Sequence, residues 1–152
     1  MSEINEIRRQ FQNGNWHKFV NSVTIDKLRG WDNQTIRFQF PICAVVGENG
    51  SGKSTVLKAV AGAYQTDPSP PKNFYPAKMF LYTHWDRASI PTGSLITHSI
   101  REGDRQHDGK WKRTAEWAYS PKGKRPKRPV VFLDISRTVP IDATAGYAKI
   151  AK

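Results

Sequence analysis

The sequence has one cysteine, Cys43, so no disulfide can form within the chain. Cys43 sits in the apolar run ICAVV, which predicts a small core residue rather than a reactive thiol. A chain without disulfides suits a reducing compartment, and a cytoplasmic location is expected. Long apolar runs are missing as well. No stretch approaches the roughly 20 apolar residues of a membrane helix, so no membrane association is expected. The N-terminal MSEINEIRRQFQNGNW lacks the apolar segment of a secretory signal. The histidines His17, His84, His98 and His107 are scattered and match no metal-ligand spacing. Acidic residues are scarce, 13 against 24 Lys and Arg, for a formal charge of +11. More than half of that surplus lies between Arg101 and Arg128, which hold ten basic and four acidic residues. The bias favours polyanions. A charge run alone fits a nucleic-acid contact, a solvated loop, or a patch facing an acidic partner.

What remains is enough for one ordinary domain. A chain of 152 residues can bury about two-thirds of its unfolded surface. Ile4, Ile7 and Phe11 make one apolar stripe, predicting a helix over 3–12 that Ser2 caps and Gly14 ends. Val20 to Leu28 and TIRFQF (35–40) alternate with period two and read as an antiparallel hairpin across GWDNQ. The run ICAVV (42–46) reads as a strand covered on both faces. A helix is expected from about Ser54 to Tyr64, burying Val56, Leu57, Val60, Ala61 and Tyr64. KMFLY (78–82) and VVFLD (130–134) are further buried-strand candidates. A second hairpin is expected from Ser94 to Tyr119, closing on Asp108-Gly109, followed by an exposed basic loop over 120–129. In its last strand Trp111, Trp117 and Tyr119 fall on one face. The final buried strand has little sequence after it to cover it, so the sheet is expected to be incomplete.

GENGSGKST, from Gly47 to Thr55, fits the phosphate-loop pattern G-x-x-x-x-G-K-[ST]. At ordinary glycine frequencies such a string arises by chance in a chain this long on the order of half a percent of the time. The chemistry requires each part. Polyphosphate is bulky and multiply charged, so backbone N–H groups must converge on it without side chains in the way, hence Gly47, Gly50 and Gly52. The helix N-terminus adds unpaired N–H groups and a partial positive charge. Lys53 can reach the β- and γ-phosphates, the Ser54 hydroxyl can ligate Mg²⁺, and Thr55 can donate to the α-phosphate.

The strings DKLRGW, TIRFQF and GENGSGKST together resemble the start of an ABC-type ATPase. The nearest group comprises the structural-maintenance-of-chromosomes proteins, RecF-like repair ATPases and OLD-type nucleases of phage defence. The resemblance is good over about residues 20–64. It implies an α/β P-loop NTPase fold: an N-terminal lobe with a mixed sheet and an antiparallel β-subdomain at about 94–119, the whole of 1–152 forming one nucleotide-binding lobe. It also implies ATP and Mg²⁺ as cofactors, and Asn49, Gly50, Ser51, Gly52, Lys53, Ser54 and Thr55 as the phosphate cradle. Lys53 would be the catalytic cation and Arg29 a basic residue approaching the nucleotide. ISRTVP (135–140) resembles a stretch that follows a later core strand in related defence ATPases, which implies a role for Arg137 near the γ-phosphate.

Other parts of such an ATPase are absent from the sequence. VVFLD ends in Asp134, but Ile135 follows where the water-activating glutamate belongs, and there is no LSGG-type signature. The expectation is a lobe that binds nucleotide and is completed by further motifs for hydrolysis, in a homodimer or hetero-assembly around ATP, with a nucleic-acid or nuclease partner in DNA repair or anti-phage defence. Two other readings stand beside it. One is a basic module binding nucleic acid through Trp111, Trp117, Tyr119 and the cations of 122–128 without hydrolysis. The other is a small P-loop kinase or GTPase, which the missing Asn-Lys-x-Asp string and helical arginine lid disfavour.

Overall fold

The computed structural model describes residues 2–15, 18–66, 74–80 and 88–133. Asp134, Ile135, Arg137, His17 and His84 lie outside them.

Helix α1, Glu3–Gln12, forms where the apolar stripe places it, but none of its residues is buried. Ser2 accepts the first backbone N–H groups through its carbonyl, while its side chain makes no cap bond. The helix is attached through Phe11, whose ring meets Phe19 edge-on at 4.9 Å. The first hairpin also forms. β1 (Phe19–Asp26) pairs antiparallel with β2 (Gln34–Arg37).

The second hairpin differs from its expected course. β3 (Leu95–Glu102) turns at Gly103-Asp104 into β4 (Arg105–Arg113), and a break at 114–116 separates β5 (Trp117–Ser120). Asp108-Gly109 is therefore strand interior, with Gly109 opposite His98. That glycine serves close approach rather than turning. A Cβ there would overlap the Tyr119 hydroxyl, which crosses it from the neighbouring strand.

The five strands among the described residues form one sheet in the order β2-β1-β3-β4-β5, each pair antiparallel. The strands expected as a β-subdomain thus continue the sheet begun by the first hairpin. The expected mixed sheet is corrected to an antiparallel one. Among the described residues the parallel pairing is an isolated bridge, Gln65 with Lys127.

Among the described residues, none of the three apolar runs forms a buried strand. Lys78 and Met79 belong to the short helix α3, Pro76–Met79, because Pro76 supplies a first-turn φ and the chain turns helical behind it; the end of KMFLY lies outside the described residues. Residues 42–46 and 130–133 are irregular and largely exposed: Ile42 73%, Val46 86%, Val131 79% and Leu133 76%. Cys43, expected in the core, is exposed with them, its Sγ donating to Phe40 O. A strand holds its place through ladder bonds on its edges, and none of the strand pairings involves either run.

The core lies on one face of the sheet. Val23, Ile25, Ile96 and Trp111 pack there against Val56 and Ala59 of helix α2, Lys53–Ala61. The buried face of α2 is Thr55, Val56, Ala59 and Ala61; Leu57, expected inside, is turned outward. Tyr64 is buried just after the helix ends.

Candidate functional site: the phosphate loop and its supports

The loop from Gly47 to Gly52 leads directly into α2. Gly52 is the helix N-cap, in the left-handed region at φ +89, and no side chain caps the helix there. The first turn also carries no acidic residue. An uncapped helix start leaves backbone donors unpaired and a partial positive charge facing outward. The Lys53 Nζ donates to Gly47 O at 2.8 Å and Glu48 O at 2.6 Å, so the side chain folds back across the loop. An ammonium has three donors, and these two bonds leave one to meet an anion. Within the loop, Ser51 N–H donates to Glu48 O at 3.2 Å. Asn49, Gly50, Ser51 and Ser54 are exposed, whereas Thr55 is buried on the inner face.

The other end of α2 is pinned by the sheet. His98 Nε2 lies 2.8 Å from Ala59 O, and Trp111 Nε1 donates to Gly62 O at 2.8 Å. A carbonyl only accepts, so Nε2 carries the histidine's proton. Two strand side chains thus satisfy carbonyls at the helix C-terminus that have no partner within the helix. Burial lowers the His98 pKa from 6.5 to about 4, so the ring is neutral near pH 7. With its far end fixed, α2 presents its N-terminus and the phosphate loop in one direction.

Arg29 occupies a tight turn that adjoins this loop. Leu28 and Trp31 exchange backbone hydrogen bonds of 3.2 and 3.0 Å around Arg29-Gly30, at φ +50 and +84. Positive φ at both central residues is the signature of a type I′ turn. The Arg29 N–H donates to Ser89 O at 2.5 Å, and its guanidinium lies 5.6 Å from the Phe80 ring centre. The same turn brings Trp31 against Gly52, a contact that neither DKLRGW nor the turn string GWDNQ signals in the sequence.

The basic stretch is less solvated than expected. Arg125 is buried beneath Trp111 and Tyr75, at 5.1 and 5.5 Å from their ring centres, and burial lowers its pKa to about 10. It remains charged at pH 7. Arg128 lies over Tyr64 and donates to Lys18 O. Trp111 is fully buried and Trp117 and Tyr119 pack against the core, so these aromatics do not form an open stacking platform.

The family described as an AAA domain matches residues 22–127, more than half of the chain, and the chain belongs to that family. No curated protein matches it. Membership makes the chain a nucleotide-binding P-loop ATPase, a class that uses ATP and typically Mg²⁺. The matched stretch includes the whole phosphate loop. No helix among the described residues is long and apolar enough to cross a membrane.

Proposed function

We propose that the chain is the ATP-binding lobe of an ABC-type ATPase of the group that includes the structural-maintenance-of-chromosomes, RecF-like and OLD-type proteins, acting in DNA repair or anti-phage defence. One observation carries the nucleotide reading: Lys53 lies across a glycine-rich loop at the uncapped N-terminus of α2, its Nζ held by Gly47 O and Glu48 O. Phosphate oxygens fit where backbone donors of residues 49–55 and the remaining Lys53 donor converge. Lys53 would stabilise charge on the β- and γ-phosphates, and the exposed Ser54 hydroxyl would hold Mg²⁺. Bound Mg²⁺ supplies neutralisation of the phosphate charge. Arg29, in its strained turn beside the loop, would approach the nucleotide.

The exposed apolar runs support an assembly around ATP. Pro41, Cys43, Val45 and residues 129–133 line a cleft of about 620 Å³ together with Phe19, Phe38, Val56 and Tyr64. Extended apolar strands of a further lobe, bringing the acidic and signature motifs, would cover these segments.

The test is Lys53→Ala. Because the Lys53 side chain bonds loop carbonyls, Gly47 O and Glu48 O, the variant should keep the wild-type thermal midpoint and lose Mg·ATP binding, a drop of about a hundredfold or more for removing a charged donor to phosphate. Unchanged affinity by calorimetry would overturn the assignment.

A further inference from the structure

We propose that Trp31 is a positioning residue for the phosphate loop: its indole, seated on the Gly52 backbone, holds the loop in the shape that receives nucleotide. The inference rests on the nucleotide-binding reading above and adds a residue that the loop motif does not contain.

The contact is close and broad. A Cβ built on Gly52 would lie 2.5 Å from Trp31 Nε1, 3.0 Å from Cε2 and 3.1 Å from Cζ2. Gly52 therefore has to be glycine for two separate reasons, its φ of +89 and the ring lying against it. Gly52 is also the hinge of the site. It ends the loop, begins α2 and precedes Lys53. Glycine leaves the left-handed region freely when nothing holds it there. If Gly52 swings, the N–H groups of the loop and the first helical turn no longer converge.

The indole is itself held firmly. It belongs to the Leu28–Trp31 turn, closed by reciprocal backbone bonds. Lys27, just before this turn, and Arg29 within it both sit at φ +50, a strained place for residues with a Cβ. Such strain persists where the surroundings enforce it. Here they do. The buried Ser94 Oγ lies 2.5 Å from Lys27 O, and Ser89 O accepts from Arg29 N–H. Trp31 also packs against the main core cluster. The ring thus transmits the rigidity of the sheet to the left-handed glycine where the loop meets α2. Without it, the loop would populate its receptive shape only part of the time, and apparent affinity would fall by that fraction.

The experiment is Mg·ATP calorimetry on the full chain as wild type, Trp31→Phe, Trp31→Ala, Gly52→Ala and the double variant W31A/G52A. Trp31→Ala should weaken binding about tenfold, while Trp31→Phe, which keeps a ring on Gly52, should stay within about threefold. Gly52→Ala should bind poorly because its methyl meets the indole and because alanine is strained at φ +89. Adding Trp31→Ala to that variant should improve binding, a reversal of sign that a merely structural tryptophan would not produce. Tryptophan emission gives a second readout that does not depend on how well W31A folds. Mg·ATP should change it in wild type, and Trp31→Phe should remove most of the change while still binding. The proposal is overturned if W31A binds within about twofold of wild type, if W31A weakens G52A further, or if W31F binds with the emission change intact. Failure of the wild type to bind Mg·ATP at all would instead remove the nucleotide reading, and the role of Trp31 with it.

Discussion

His98 shows how much a single residue can carry without touching a ligand. It sits at the middle of β3, fully buried, and holds Ala59 O at the end of α2. Burial depresses its pKa to about 4, whereas the unfolded chain titrates near 6.5. Between those values the unfolded state binds a proton that the folded state refuses, so stability falls as pH drops through this window. We expect the unfolding free energy to be lower at pH 5 than at pH 7 by about 2 kcal/mol from this group. His98→Gln keeps a donor but does not titrate, and should flatten that part of the profile in urea denaturation. An unchanged pH slope in the variant would assign the dependence to other groups. Gly109 makes a related point. In the sequence Asp-Gly reads as a turn, and the fold uses the glycine to let Tyr119 cross a strand.

At the scale of elements, the difference between pattern and environment decides what forms. The alternating segments became strands because a half-buried pleat suits one apolar and one polar side. The continuous runs at 42–46 and 130–133 need cover on both faces and pairing on both edges, and the described sheet provides neither. Their exposure makes a direct prediction. Ile42→Lys and Val131→Lys should each change folding stability by no more than about 0.5 kcal/mol, as surface substitutions do. Both should reduce any association of the chain with a further lobe or with itself, measured by sedimentation. A loss of several kcal/mol in denaturant would place these side chains in a core.

For the whole molecule the charge of +11 matters most. Part of the basic stretch is used internally, since Arg125 and Arg128 pack on Tyr75, Trp111 and Tyr64. Lys110, Lys112, Lys122, Lys124 and Lys127 remain exposed. We propose that these lysines give the ATPase a nucleic-acid contact that is electrostatic and indifferent to sequence. Binding of a DNA duplex should then weaken steeply between about 50 and 200 mM salt, and replacing Lys110, Lys112 and Lys124 by Gln should flatten that slope. A salt-independent affinity, or none at low salt, would exclude the contact.

The sequence by itself determined the local features: α1 with its single apolar stripe, the first hairpin, and the loop from Gly47 to Thr55 leading into a helix. Each depends on neighbours a few residues apart, through periodicity, turn residues and glycine spacing, so each is legible without the fold. The tertiary structure alone decided matters that join distant residues. It set the single antiparallel sheet, the outward turn of Leu57, and the burial of Arg125 among aromatics. It pinned α2 by His98 and Trp111, 39 and 49 residues away along the chain. The same holds at the loop. The motif named Lys53 and its glycines, but Trp31 reaches Gly52 only because the sheet and the type I′ turn carry it there.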